Sequence, residues 1–174
     1  MPKLPGGKEI QMRYRDCPTV EVSERIIGDV TDIWALVSDI TLPTRFSPEL
    51  YKVEWLGGAD HLAVGARFRG YNRNPALGEW QAECHVVEVE DRTRWVWQVQ
   101  GEAGPAATWA FEVDPTSDGA IVRQWARMGP GASGLSLAIA AMPEKEGRII
   151  AGRLREWEAG MRANLVGIKT LIEH

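Results

Sequence analysis

The sequence predicts an α+β fold in which a curved antiparallel sheet of seven strands wraps around one long C-terminal helix. Six strand-like segments follow one another between residues 51 and 128, and the short turns between them favour antiparallel neighbours over crossover connections. Residues 144–174 instead show helical periodicity. Because no second long helix is available to pair with it, the apolar stripe of this helix must lie on the sheet.

The first elements precede that run of strands. Residues 19–27 alternate in polarity and end at a glycine, which predicts the first strand. Asp29 is a candidate N-cap for a short helix over residues 30–38, and Pro43 and Pro48 bracket a second short helix or turn. Residues 1–17 hold proline, glycine and mixed charge, so we expect a flexible arm before a single domain over residues 18–174.

The six consecutive strands are predicted from alternating segments bounded by turn residues. They cover residues 51–56, 66–74, 79–90, 94–100, 107–114 and 120–128. The next stretch, PGASGLSLAIAAMP, has small residues and no clean strand period. We favour a packed segment or a lid for this stretch over a segment that touches a membrane.

Composition bounds the class of protein. A chain of 174 residues with 44% hydrophobic and 25% charged residues fits one globular domain, and a net charge of −4 argues against nucleic-acid binding. The two cysteines lie far apart in no metal-like spacing, and no signal peptide or membrane-length apolar stretch is visible. We therefore expect a cytoplasmic monomer or homodimer without a metal, a cofactor or an integral membrane span.

The strand over residues 66–74 raises the question of what its inner face is for. We take the face with Phe68, Gly70 and Asn72 as inward, where a missing side chain leaves room and an amide offers a donor and an acceptor. Alternatively, Gly70 marks a bend or bulge that curves the sheet, and Asn72 caps the following turn. The two interpretations are compatible because curvature creates a cavity.

Aromatic side chains dominate the other inward positions. The further residues predicted to face a ligand are Trp80, Trp97, Trp109, Gln124, Trp157 and Met161. Eight tryptophans against three phenylalanines and three tyrosines suit an aromatic, polycyclic or isoprenoid ligand, which a few polar groups would orient. For any single tryptophan, plain core packing is the alternative.

Common catalytic motifs do not account for these residues. The sequence has no G-x-S-x-G nucleophile elbow, no Walker loop and no H-E-x-x-H zinc motif. His61 is predicted in a turn, His85 on an outer face and Cys84 in the core as a small apolar residue. Glu49 lies before a strand and could reach a cavity mouth, although a solvated turn is favoured.

The order of elements resembles the helix-grip fold of the START-like (SRPBCC) superfamily, which includes polyketide cyclases, plant pathogenesis-related allergens and lipid-transfer domains. More closely, the sequence resembles bacterial proteins of the polyketide cyclase/dehydrase type. This resemblance rests on VGARFRGYNRN (64–74), EWQAECHVVEVEDRTRWVWQV (79–99) and DPTSDGAIVRQ (114–124), and covers about residues 18–172. The resemblance implies a deep cavity for an apolar or aromatic ligand between the sheet and the long helix.

Three functions follow as expectations. The first is binding of a hydrophobic or aromatic small molecule, of the lipid, polyketide or isoprenoid class. The second is a polyketide aromatase/cyclase-like enzyme that shapes a bound chain and assists aldol closure and dehydration. Arg69, Tyr71 and Arg73 would serve that chemistry only if the parity of their strand were reversed. The third is a module that acts on a partner protein or a membrane surface through GASGLSLAIAAM.

Overall fold

Seven antiparallel strands form one sheet in the computed structural model, which describes residues 12–174. The strands are β1 (Thr19–Ile27), β2 (Leu50–Leu56), β3 (Arg67–Asn74), β4 (Gly78–Glu90), β5 (Arg94–Gly101), β6 (Gly104–Pro115) and β7 (Gly119–Met128). Their spatial order is β1-β7-β6-β5-β4-β3-β2. The predicted meander of six strands is confirmed, and β1 forms one edge of the open sheet by pairing with β7.

The helices are α1 (Val30–Val37), α2 (Gly134–Ala141) and α3 (Glu146–Glu173), with 3-10 turns at Tyr14–Asp16, Leu42–Arg45 and Pro143–Lys145. Two helices, α1 and α3, and the turn between β1 and β2 lie where the sequence predicts them, and α2 is a further helix. The Asp29 carboxylate accepts the backbone N–H of Thr31 at 2.7 Å and so caps α1 as predicted. α3 has 28 residues and is therefore about 42 Å long, which is enough to cross the sheet. The helix-grip architecture is confirmed.

Bulges give the sheet its curvature. Register shifts interrupt the pairing of β2 with β3, of β4 with β5 and of β5 with β6, and such bulges bend a strand and increase its twist. Gly70 pairs regularly with Val53 on one side and with Ala82 on the other. A Cβ at Gly70 would lie 3.1 Å from Cδ1 of Leu50. Leu50 therefore fills the space that the missing side chain leaves.

α3 covers β1 at one edge of the sheet. Lys169 Nζ donates to the backbone carbonyl of Arg25 at 2.6 Å, and the backbone N–H of Ile27 donates to the Glu173 carboxylate at 3.0 Å. Accepting this backbone hydrogen bond, together with the nearby Lys169, lowers the pKa of Glu173. Backbone groups at an edge strand otherwise offer a template for another chain. The last turns of α3 thus hold the helix in place and protect this edge.

The hydrophobic core lies between the concave face of the sheet and the helices α1 and α3. Its fully buried side chains include Ile26 on β1, Ile33 on α1 and Leu165 on α3, and burying each such side chain contributes about 1.5–3 kcal/mol. α3 approaches the segment before β2 closely at Gly167, where an added Cβ would lie 2.5 Å from the ring of Phe46. The helix can therefore reach this depth only with a glycine there.

The segment before β1 packs against the start of α3. The backbone N–H of Tyr14 donates to the Glu146 carboxylate at 2.9 Å, and Arg13 lies 3.2 Å from the same carboxylate. The Tyr14 hydroxyl donates to the carbonyl of Gly131 at 2.7 Å. Of the arm predicted over residues 1–17, residues 1–11 lie outside the described part of the chain. Within the described residues 12–17, Arg13 and Tyr14 make these contacts.

α2 occupies the stretch for which we expected a packed segment or a lid. Ser133 is the N-cap of this helix, and its backbone N–H donates to the Ser136 hydroxyl at 3.0 Å. None of its eight residues is buried, and Leu137 is 76% exposed. α2 is therefore not part of the core. Within residues 12–174, no helix combines the length and the apolar composition needed to cross a membrane.

Candidate ligand-binding site

The inward parity predicted for β3 is confirmed. Phe68 is buried on the concave face, and Gly70 and Asn72 follow it on that face at two-residue spacing. Arg69 lies 3.7 Å from Glu54, and the Tyr71 hydroxyl also donates to Glu54 on the convex side. The hypothesis that these polar side chains point into the interior is therefore wrong.

An aromatic ladder of four tryptophans runs across the concave face. Trp95 stacks on Trp97 with ring centroids 4.3 Å apart, Trp97 lies 6.1 Å from Trp109, and Trp109 lies 4.8 Å from Trp157 of α3. Trp95 and Trp97 are buried, whereas Trp109 and Trp157 are only partly buried. The ladder thus extends from the core to the molecular surface and joins the sheet to the helix.

The buried end of the aromatic ladder is anchored by a hydrogen bond. Trp95 Nε1 donates to the backbone carbonyl of Val37, at the end of α1, at 2.8 Å. A buried indole N–H needs such a partner. This contact holds Trp95 in place, whereas no hydrogen bond within residues 12–174 holds the indole N–H of Trp109 or Trp157. The surface end is therefore the end where rings can move.

A polar clamp covers the surface end of the aromatic ladder; it consists of Glu49, Asn74, Arg153 and Glu156. Arg153 binds Glu49 at 2.6 and 2.8 Å and Glu156 at 2.6 Å. Asn74 Nδ2 donates to Glu156 at 3.0 Å and to Glu49 at 3.3 Å. The side chain of Glu49 is only 21% exposed, so the favoured interpretation of Glu49 as a solvated turn residue is wrong.

Arg153 is the cation at the centre of this clamp. Its side chain is 11% exposed, and its guanidinium lies 5.4 Å from the ring of Trp80 and 5.8 Å from that of Trp157. Burial opposes the charge, but hydrogen bonds and the charges of Glu49 and Glu156 outweigh it and raise the pKa of Arg153. Arg153 therefore stays charged while it lies over two aromatic faces.

A buried amide pair, Gln124 and Asn164, lies further along α3. Asn164 Nδ2 donates to Gln124 Oε1 at 3.1 Å, and the two residues are 4% and 2% exposed, respectively. The inward position predicted for Gln124 is confirmed. The other oxygen of the pair, Asn164 Oδ1, is buried without a hydrogen-bond partner. The interior thus contains one acceptor that the protein itself leaves unused.

Helical spacing places the polar clamp, the aromatic ladder and the buried amide pair in one row along α3. Trp157 follows Arg153 by four residues and Asn164 follows Trp157 by seven, so all three side chains lie on one stripe of α3. At 1.5 Å per residue, Arg153 and Trp157 are about 6 Å apart along the helix, and Trp157 and Asn164 are about 10 Å apart. Met161, between them, is fully buried. Clamp, ladder and amide pair therefore follow one another beneath α3.

Open depressions lie elsewhere on the surface. One of about 390 Å³ lies between Gly28 and Ile172, and another of about 350 Å³ lies beside His85 and Pro105. Neither is lined by the aromatic ladder, the polar clamp or the amide pair. Between the sheet and α3, the rings of Trp109 and Trp157 touch each other with centroids 4.8 Å apart. A ligand therefore requires the rings at the surface end to move.

The other candidate side chains have local roles. Cys84 is buried on the concave face, as predicted, and burial together with the charge of Glu83 raises the pKa of its thiol to about 12. His61 lies exposed in a turn, 2.6 Å from Asp60, to which it bonds, and this bond lowers the pKa of Asp60. Within residues 12–174, no cluster of three or more histidine, cysteine or acidic residues could hold a metal ion.

The loop between β7 and α2 carries glycines at the spacing of a dinucleotide-binding loop, GPGASG over residues 129–134. The structure gives these glycines a packing role instead. Both neighbours of β7 are antiparallel to it, whereas the dinucleotide motif needs a parallel βαβ unit. A Cβ at Gly131 would clash with the carbonyl of Gly104. The glycine thus permits close packing on the turn between β5 and β6.

Sequence reasoning missed Arg153 and Asn164, which complete the arrangement. Both share the stripe of Trp157, so projecting α3 as a helix from that residue would have placed one cation and one amide on its sheet-facing side. The predicted residues Asn72 and Trp80 pair directly across β3 and β4, and Trp97 pairs with Trp109 across β5 and β6.

The fold and this arrangement define a helix-grip protein with an aromatic interior between its sheet and its C-terminal helix. The chain belongs to the family described as polyketide cyclase / dehydrase and lipid transport, whose model matches residues 18–173. Among curated proteins, none matches the sequence.

Solved structures share the fold. A polyketide-cyclase-like protein of Corynebacterium glutamicum is 26% identical, with a TM-score of 0.63 over 89% of this chain and 91% of that one. The di-domain ARO/CYC protein BexL, from the BE-7585A biosynthetic pathway, is 15% identical and has a TM-score of 0.64. The match covers 90% of this chain and 50% of the BexL chain. The di-domain ARO/CYC protein StfQ, from the steffimycin biosynthetic pathway, is 16% identical and has a TM-score of 0.65. The match covers 92% of this chain and 52% of the StfQ chain. This chain therefore spans about half of each di-domain protein.

Proposed function

We propose that this protein binds a hydrophobic, aromatic small molecule between the sheet and α3, at the surface end of the aromatic ladder. The observation that carries this proposal is the contact between Trp109 and Trp157, two partly buried indoles 4.8 Å apart that join β6 to α3. The two rings are tilted by 50° and touch each other, so each offers an aromatic face on which a ligand ring stacks once the two rings part. The family and the two ARO/CYC neighbours support a ligand of the polyketide class.

The polar clamp provides the route of entry. Arg153 and Glu49 join α3 to the segment before β2, directly over the rings of Trp80 and Trp157. Opening this ion pair uncovers the surface end of the ladder, where Trp157 can then turn to admit a ring. The interior behind that entrance is lined by Phe68, Gly70, Asn72, Trp97 and Met161.

Catalysis of a cyclisation is the second candidate function, and the presence of Arg153 favours it. A guanidinium beside a bound polyketide chain would stabilise the enolate that forms in an aldol closure, and Glu49 would take or return a proton. Conversion of a linear polyketide analogue by the protein, lost in the variant Arg153→Met, would establish this activity. Binding without conversion would leave the protein as a carrier.

Matched tryptophan variants test the binding proposal. We would titrate the protein calorimetrically with naphthols and linear polyketide phenols and compare Trp157→Leu with Trp125→Leu. Trp125 lies on the convex face, where its Nε1 donates to Glu112 at 2.7 Å, and it serves as the control. Loss of one stacking partner should weaken binding roughly tenfold in the Trp157 variant only. Equal effects in both variants, or no binding to the unaltered protein, would refute the proposal.

A further inference from the structure

We propose that the buried amide pair of Gln124 and Asn164 recognises a hydroxyl group of the ligand, so that phenols and other hydroxylated aromatic molecules are the preferred class. This inference rests on the proposed binding function and narrows it. The acceptor is Asn164 Oδ1, which has no hydrogen-bond partner although Asn164 is only 4% exposed. The hydroxyl of the ligand donates to this oxygen.

An unused acceptor in this position is unfavourable for the protein alone. Buried polar atoms are almost always paired, and leaving one unpaired sacrifices its hydration without a replacement. Among the buried side-chain atoms of residues 12–174, only Asn164 Oδ1, Arg94 Nε and Thr108 Oγ1 lack a partner. Asn164 is the one of these three that lies between α3 and the concave face. A ligand donor would remove this cost at the site where we expect the ligand.

The amide pair lies within reach of a ligand at the aromatic ladder. Gln124 pairs across the sheet with Phe111 of β6, and Trp109 precedes Phe111 by two residues on the same face of that strand, about 7 Å away. On the helix side, Asn164 shares the stripe of Trp157. Asn164 therefore lies on the same side of α3 as the surface end of the ladder, about 10 Å further along the helix.

The surroundings of the pair favour a neutral donor over a charged group. Gln124 has Val22 and Phe111 as its neighbours on the adjacent strands, and both of these side chains are buried and apolar. An anion in such surroundings would lose its hydration and gain only amide contacts, which is costly. A hydroxyl loses less on burial, and its one donor suits the one unused acceptor.

A pair of matched probes tests this inference. We would measure the dissociation constants of a naphthol and of the methylnaphthalene substituted at the same position, by NMR titration of the full chain. The double variant Gln124→Leu/Asn164→Leu replaces both amides with apolar groups of similar shape, which leaves no new unpaired atom. The control is Thr108→Val, which removes an unpartnered buried oxygen on the convex face.

The unaltered protein and Thr108→Val should bind the naphthol roughly tenfold more tightly than the methylnaphthalene, and the double variant should lose this preference. The inference is wrong if both probes bind the unaltered protein equally, or if the double variant keeps the preference, and binding at the ladder would then still stand. If neither probe binds the unaltered protein, the inference and the proposed function fail together. Circular dichroism of the double variant establishes that it is folded.

Discussion

Arg153 of α3 and Glu49 of the segment before β2 form a bidentate ion pair, with distances of 2.6 and 2.8 Å, across 104 residues of sequence. The pair fastens the first half of α3 to the far side of the sheet from β1, while Lys169 and Glu173 fasten its last turns to β1. It also covers the rings of Trp80 and Trp157. Stability and access to the site therefore depend on the same contact.

Substituting Glu49→Gln should lower the free energy of unfolding by about 2 kcal/mol, because a mostly buried guanidinium then loses one of its two carboxylates. Urea unfolding followed by tryptophan fluorescence measures this change. The control is Glu158→Gln, which breaks an exposed pair with Arg162 on the same helix and should cost less than about 0.5 kcal/mol. Similar losses in the two variants would show that the clamp does not hold α3.

Substituting Gly167→Ala should destabilise the protein by about 1–3 kcal/mol, because the new methyl group would overlap the ring of Phe46. Gly160→Ala on the same helix meets only the Ser47 hydroxyl, at an ordinary 3.8 Å. It should stabilise by about 0.5–1 kcal/mol through helix propensity. Thermal unfolding of both variants measures the difference. Stabilisation by both would mean that α3 does not approach Phe46 this closely.

An alkylating reagent should react with only one of the two cysteines in the folded protein. Burial and the charge of Glu83 raise the pKa of the Cys84 thiol to about 12, so almost no thiolate forms at about pH 8. Cys17 is only half-buried and serves as the internal control. Iodoacetamide followed by peptide mass spectrometry should find the label on Cys17 alone in the folded protein. Label on Cys84 at a comparable rate would show that the concave face is open to solvent.

The contact between Tyr14 and Glu146 should make the start of α3 sensitive to acid. The backbone N–H of Tyr14 and the side chain of Arg13 lower the pKa of Glu146 below its ordinary value of 4.5. A carboxyl whose pKa is depressed by folding contributes stability above its unfolded pKa and loses it as the pH falls through the folded value. Glu146→Gln should therefore melt below the unaltered protein at about pH 7, and this difference should shrink as the pH falls below the ordinary pKa of 4.5. A difference that stays constant over this fall in pH would exclude this titration.

Local patterns predicted the strands and the faces of their side chains. β1 covers residues 19–27 as predicted, and the inward parity of Phe68 and Gln124 is confirmed, because the period of two is a property of the chain itself. The bulges of the sheet have no such local signal, since they depend on how neighbouring strands pair.

The polar parts of the site were harder to predict. Glu49 and Arg153 are 104 residues apart, so only the folded sheet brings them together. Asn164 lies in an apolar stripe, where helical periodicity alone gives an amide no special weight. The apolar sequence of α2 likewise does not reveal that none of its residues is buried.

Native mass spectrometry of the purified full chain, followed by organic extraction, tests the central claim most directly. We expect a mass excess close to one bound molecule per chain, and an extracted compound that is aromatic and carries a hydroxyl group. Addition of a naphthol to a ligand-free preparation should restore such an excess. A chain that purifies without a ligand, and whose mass no aromatic, polyketide or lipid probe shifts, would contradict the account and mark the aromatic ladder as a filled core.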